Sequence, residues 1–198
     1  MNETKDRIAN LLKNYHPGIR GHTSETRQDF LKPCTVIVPL IGQESSNREV
    51  SVLLIRRSSS LRRNPGEYAF PGGMFEEQDR NDPYACALRE WQEEMGSTNP
   101  DSILGQLDTF CTLSGLIIKP VVYWFDYSPA IEMSKHEVQE IFYVPLAFFQ
   151  EKNCYREIVR RQHTQFECNA YYWQQKRIWG ATAGIIANLI EVLKPVIQ

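Results

Sequence analysis

The segment from Gly72 to Gly96, GGMFEEQDRNDPYACALREWQEEMG, constrains this chain more than any other, because it gathers three carboxylates where local energetics disfavour them. Asp82 suits an N-cap, Pro83 the first helical position and Gly96 the residue just past the end, so the pattern predicts a helix over 83–95. On a helical wheel with Glu90 at zero, Glu94 falls at about 40° and Glu93 at about −60°, so the three acids share one face. Tyr84, Ala85, Leu88, Trp91 and Met95 fall between about 100° and 220°, a face that packs on a sheet while the acids face a cleft. Like charges at this spacing repel, and the last turns of a helix disfavour anions. A hard divalent cation, Mg²⁺ or Mn²⁺, gives the cluster a reason, since it prefers oxygen ligands and binds substrate phosphates as well. A solvated acidic face is the plainer alternative. Arg89, about 40° from Glu93, is placed to orient a carboxylate. Upstream, Gly72-Gly73 lets the backbone approach a metal or phosphate closely.

Apolar runs at 34–41, 50–56, 103–112 and 116–125 read as strands, the last two paired near Ser114-Gly115. Residues 3–15 form an amphipathic helix, 16–32 are irregular, 141–144 are apolar, and Pro145 opens a short helix. Residues 154–161 and 165–173 suit a hairpin, and a final helix lies near 179–193. Interspersed strands and helices predict an α/β fold. With 198 residues, one domain suffices.

The helix segment resembles the Nudix box, a pattern of Gly, five residues, Glu, seven residues, then R-E-U-x-E-E-x-G-U with U apolar. Gly73 is the opening glycine and Arg89 to Gly96 matches the core, with Trp91 as the first U. Asp79 stands at the first Glu position, nine residues separate it from Arg89, and Ser97 replaces the last U. A second stretch, LLIRRSSSLRRNPGEYAFPGG at 53–73, resembles the signature of the coenzyme A pyrophosphatase branch, with Ile55 in place of the usual Thr. That branch also carries a lengthened box loop and Asp at this position; one further residue is extra here. SGLIIKPVV (114–122), EVQEIFYVPL (137–146) and RIWGATA (177–183) resemble it too.

The resemblance implies a Nudix-type α/β/α sandwich with a mixed β-sheet over residues 31–198, after an N-terminal helix and irregular extension at 1–30. It implies metal-dependent hydrolysis of the pyrophosphate of coenzyme A or a derivative, giving 3′,5′-ADP and 4′-phosphopantetheine. Glu90 and Glu94 are the first metal ligands, with Glu93 a ligand or the general base and the Gly73 carbonyl a further ligand. Arg89 belongs to the same catalytic set. Glu137 and Glu140 lie where some Nudix enzymes place another carboxylate. Arg56, Arg57, Arg62 and Arg63 put four guanidinium groups on one loop, suited to multidentate phosphate binding together with Gly72. Leu116, Ile117 and Phe142 could line a pantetheine channel, with a core position as the alternative. Another nucleoside diphosphate derivative (ADP-ribose, a dinucleotide, an oxidised nucleotide) and a non-catalytic nucleotide-binding module remain as competing readings.

A formal charge of −2 argues against a nucleic-acid binder, which is usually far more basic. The late apolar run from Ile178 to Ile190 is shorter than the about 20 residues a membrane span needs. Five scattered cysteines form no CxxC pair and read as buried thiols of a reducing compartment. Neither end of the chain carries a targeting signal, so a cytoplasmic protein is expected. The first 30 residues lie outside the resemblance, and capping the domain or self-association as a homodimer are the roles open to them.

Overall fold

The computed structural model describes residues 3–21, 32–42, 49–96, 99–161 and 164–197. The chain begins with α1 (Glu3–Lys13) and β1 (Ile19–Gly21), followed by β2 (Lys32–Gly42), β3 (Val50–Arg57) and β4 (Tyr68–Ala69). Next come α2 (Pro83–Met95), β5 (Ser102–Gln106), β6 (Thr109–Cys111), β7 (Leu116–Phe125) and β8 (Val138–Pro145). It closes with β9 (Tyr155–Arg161), β10 (Thr164–Trp173), β11 (Lys176–Trp179) and α3 (Gly180–Ile197). A 3₁₀ turn at Leu146–Phe149 follows Pro145, as expected.

Period-2 patterning explains the layers. Val38 and Leu40 of β2, Val52 and Leu54 of β3, and Val122 and Trp124 of β7 face one side, with α1 and α3. Ile37 and Ile41, Leu53 and Ile55, and Val121, Tyr123 and Phe125 face the other, with α2. The central strands are buried on both faces and read as continuous apolar runs. The result is an α/β/α sandwich around a mixed sheet ordered β1-β6-β7-β2-β3-β4, with β5 also on β7 and β8 also on β3. The β2–β7 pair is parallel, while the β2–β3 and β3–β8 pairs are antiparallel. The expected hairpin is β9–β10, and β11 extends it to a separate three-stranded sheet that the sequence pattern did not show.

One irregularity builds the site. β2 and β3 pair over Leu40–Gly42 and Val50–Val52, then the segment 68–74 lies between them. Its start pairs with Ile55 and Arg56 of β3. Its end turns to β2, where the Ile37 amide donates to the Pro71 carbonyl (2.9 Å) and the Thr35 amide to the Gly73 carbonyl (2.9 Å). The glycine pair is thereby fixed at the end of the sheet beside α2.

The described residues of the N-terminal segment, 3–21, pack on the same body. Ile8 and Leu12 of α1 are buried in the core shared with α3. Residues 16–32 were expected to be irregular, yet Ile19–Gly21 runs parallel to β6. The strand expected over 103–112 breaks at Leu107-Asp108 and leaves Asp108 to tie this corner together. Its carboxylate accepts from the Tyr15 hydroxyl (2.6 Å), the Gly18 amide (2.6 Å) and Arg20 Nε. Its amide donates to Asn188 Oδ1 of α3 (2.9 Å). The described part of the segment therefore caps the domain; the boundary expected at residue 30 lies outside the described residues. α3 is the one helix among the described residues long and apolar enough to cross a membrane. Its Ile185, Ile186, Leu189 and Leu193 are buried in the core.

Burial raises the Asp108 pKa, but Arg20, Tyr15 and Gly18 outweigh it, and the net shift is downward. The ionised form therefore adds stability that is present above the ordinary carboxylate pKa and lost as pH falls through the lowered one. Asp108→Ala should destabilise the protein by about 3 kcal/mol at neutral pH, because three donors lose a charged acceptor. Urea unfolding measures this, and the gap between parent and variant should narrow at pH 3.

Candidate active site

α2 has the boundaries its caps predict. Asp82 Oδ1 accepts the Tyr84 amide (2.9 Å), Pro83 opens the helix, and Gly96 ends it at φ 55°. Trp91 is fully buried with its ring 4.9 Å from Phe125. The buried arc, however, is rotated from the expected one. Ala85 is exposed, whereas Cys86 and Glu94 are buried and Glu90 is nearly so. The acids therefore do not line an open wall. Glu90 and Glu94 sit between the helix and the glycine pair, and Glu93 is 51% exposed.

Both glycines are needed by what they touch. Gly72, at φ 147°, donates its amide to Glu94 Oε2 (2.9 Å). A Cβ there would strike the Thr35 carbonyl and the Val36 Cα, which are backbone and cannot yield. A Cβ on Gly73 would fall on the Glu90 carboxylate itself.

Arg89 organises the loop before the helix. Its Nε and Nη2 each donate to an Asp79 oxygen at 3.0 Å, and Nη2 also reaches the Met74 carbonyl (2.8 Å). Nη1 donates to Glu93 Oε2 (2.9 Å), so the orienting role read from the helical wheel is present, and Glu90 Oε1 lies 3.0 Å from Nη2. Asp79 is buried, and the Arg89 bonds hold its carboxyl down at about 2. The sequence pattern marks Asp79 as a departure from the box that the coenzyme A pyrophosphatase branch shares, but not as the partner of Arg89. The two extra spacer residues do not disturb α2: Arg80 and Asn81 take left-handed conformations (φ 50° and 60°) and turn the chain into the Asp82 cap.

The four arginines do not share one loop. Arg56 and Arg57 end β3, and successive strand residues point to opposite faces. Arg57 Nη1 stands 3.9 Å from Glu94 Oε1, and its buried Nε lacks a hydrogen-bond partner among the described residues. Arg56 lies on the α3 side, 5.8 Å over the Tyr68 ring. Arg62 and Arg63 are exposed on the loop. The two further carboxylates also separate. Glu137 is close enough to Glu90 and Glu94 for its charge to raise both. Glu140 pairs with Arg56 across the strands and with Lys176 Nζ (2.7 Å), away from the cluster. Phe142 is buried in the core, and Leu116 packs against it. All five cysteines are free thiols, and burial pushes Cys34, beside Glu90, up to about 12.

Burial pushes the Glu94 carboxyl up to about 8 against the opposing Gly72 amide and Arg57, with Glu90 and Glu137 adding to the rise. Glu90 is raised for the same first reason, with Arg89 opposing. Among the described residues, no three His, Cys, Asp or Glu side chains converge as a ready metal cage. The donor chemistry nonetheless fits Mg²⁺ or Mn²⁺: hard oxygens in a desolvated site, repelling one another. Glu90 and Glu94 are the residues that could hold the ion, with Glu137 near them; the Gly73 carbonyl already accepts from Thr35.

A carboxyl raised by burial binds its proton more tightly in the folded chain, so its contribution to stability is lost as pH rises from about 4.5 through about 8. Glu94→Gln should therefore melt higher than the parent at pH 8 and by a smaller margin at pH 5. Adding Mn²⁺ should raise the melting temperature of the parent more than that of the variant. Calorimetry at the two pH values reads both effects.

A family model described as the NUDIX domain matches residues 32–162. An uncharacterized Nudix hydrolase NudL from Photorhabdus laumondii is 34% identical over 165 residues, which is 82% of this chain and 86% of that protein. A peroxisomal coenzyme A diphosphatase from Caenorhabditis elegans is 37% identical over 116 residues, 58% of this chain and 50% of the relative. The crystal structure of a MutT/nudix family protein from Enterococcus faecalis, 16% identical, aligns with a TM-score of 0.53 over 92% of this chain and 66% of that one, a likeness of fold. The matched region holds the carboxylate helix, the glycine pair and the Arg89 clamp, and the chain belongs to the Nudix hydrolase family.

Proposed function

We propose that the chain is a metal-dependent pyrophosphohydrolase that cleaves coenzyme A or its derivatives to 3′,5′-ADP and 4′-phosphopantetheine or its acyl form. The observation that carries this reading is the meeting of Arg57 and Glu94 at 3.9 Å. Arg57 belongs to the stretch that resembles the coenzyme A signature, and Glu94 to the helix that resembles the Nudix box. The similarity to a coenzyme A diphosphatase over 116 residues supports the same substrate.

The residues divide the work. Glu90 and Glu94 hold a divalent cation against the glycine loop. Bound there, Mg²⁺ or Mn²⁺ offsets the charge on the pyrophosphate oxygens and makes a water molecule a better nucleophile. Arg57 offers its guanidinium, whose buried Nε has no hydrogen-bond partner among the described residues, to a phosphate oxygen beside Glu94. Arg62 and Arg63 supply exposed cations at the entrance. Glu93 is held through one oxygen by Arg89 and is half exposed, which suits it to take a proton from the attacking water.

The test is purified protein with Mg²⁺ or Mn²⁺ and coenzyme A, acetyl-coenzyme A, 3′-dephospho-coenzyme A, ADP-ribose and NADH, with products separated by chromatography. Coenzyme A should yield 3′,5′-ADP, and Glu90→Gln should lower turnover at least about 100-fold. Preferential cleavage of ADP-ribose or NADH would move the assignment to another nucleoside diphosphate. Near-normal turnover by Glu90→Gln would remove the carboxylate helix from the chemistry.

A further inference from the structure

On the face of the sheet opposite the carboxylates, a second cationic cluster has a composition that packing alone does not reward. Arg56 lies 5.8 Å over the ring of Tyr68, and its Nε donates to the Gly66 carbonyl (3.4 Å). Lys176 reaches the same ring from the β10–β11 turn, with Nζ 5.7 Å from the Tyr68 centroid and 5.3 Å from that of Phe142. The two rings meet edge to face at 5.4 Å, and Thr182 of α3 donates to the Tyr68 carbonyl (3.3 Å). Lys176 is 17% exposed, and its ammonium pairs with Glu140 Oε1 at 2.7 Å. Two cations thus share one aromatic platform with one carboxylate between them. Like charges gathered at one ring repel, and removal from water strengthens the repulsion. Cation–π contacts and the Glu140 pair offset part of this and hold both cations in place.

A dianion would complete the cluster. A phosphomonoester carries about two negative charges near neutral pH and accepts hydrogen bonds from both cation types. Arg57, one residue from Arg56, serves the pyrophosphate on the other face. One strand end therefore offers cations for two separate phosphate groups. We propose that Arg56 and Lys176 form a subsite for a phosphomonoester on the nucleoside end of the substrate, with Lys176 a specificity-determining residue. Glu140 holds Lys176 in the unliganded protein, so a substrate lacking that phosphate leaves the pair intact and draws no benefit from it. The inference rests on the coenzyme A reading, because that substrate carries both a pyrophosphate and a 3′-phosphate.

The experiment compares kcat/KM for coenzyme A and 3′-dephospho-coenzyme A in the parent, Lys176→Met and Lys176→Arg enzymes. The parent should favour coenzyme A. In Lys176→Met the ratio of the two values should fall about tenfold, the scale of one lost charge-assisted contact. Lys176→Arg should retain most of the ratio, since the cation remains. A parent that cleaves coenzyme A but does not discriminate between the two overturns the subsite alone. So does a Lys176→Met enzyme that loses equally on both substrates or keeps the parental ratio. A parent that cleaves neither, while acting on other nucleoside diphosphates, overturns the proposed substrate and the subsite with it.

Discussion

The Arg89 guanidinium meets Asp79, Glu90, Glu93 and the Met74 carbonyl at once, and the geometry of the site depends on it. Through these contacts the loop at 74–79 and the helical turns at 86–93 become one piece. The Asp79 pair is buried, and removing one partner of such a pair costs about 3–5 kcal/mol, because the other charge is left uncompensated. Arg89 is correspondingly held protonated, chiefly by Asp79. The same side chain therefore closes the loop and leaves Glu93 in a fixed orientation. A lysine could not reproduce this, since it lacks the planar fork that reaches both oxygens of Asp79 while still meeting Glu93.

The carboxylates next to this clamp pull the other way. Glu94 accepts a backbone amide and faces Arg57, yet burial still dominates and its carboxyl is raised to about 8. Glu90 is raised beside it. Neither arrangement serves the folded state at neutral pH, and groups shifted by burial together with specific neighbours mark functional sites. The scaffold tolerates the cost because the opposite side of α2 is firmly packed, with Trp91 and Met95 fully buried against the sheet. Oxygens desolvated in this way are also poised for a cation, which meets less competition from water.

The sheet separates two charged clusters by its own periodicity. Arg56 and Arg57 are neighbours in sequence, but the pleat sends one toward α3 and the other toward α2. Glu137 and Glu140 are divided in a similar way. The β3–β8 register shifts between Arg56, opposite Glu140, and Arg57, opposite Val138, so the strand that places Glu140 by Lys176 begins just after Glu137 by Glu94. A charge-rich strand end thereby serves two environments without mixing them.

The sequence by itself determined the local features. Asp82, Pro83 and Gly96 set the limits of α2, the apolar runs set β2, β3 and β7, and the spacing of Glu90, Glu93 and Glu94 put three carboxylates on the later turns of one helix, because caps and periodicity act within a few residues. Only the tertiary structure decided which of those acids would be buried, since that depends on the glycine pair brought to α2 by the splay of β2 and β3. It also decided that Asp79 would be the partner of Arg89, that Asp108 would fasten the N-terminal segment, and that Lys176 would join Arg56 over Tyr68. The short strands β1, β4 and β11 carry little intrinsic signal and exist because the sheet offers them partners. Contacts between residues 10 positions apart across an irregular turn, or 80 positions apart, leave no mark in local spacing. They arise when apolar burial packs the layers and every polar group carried inside must find an opposite charge or a donor.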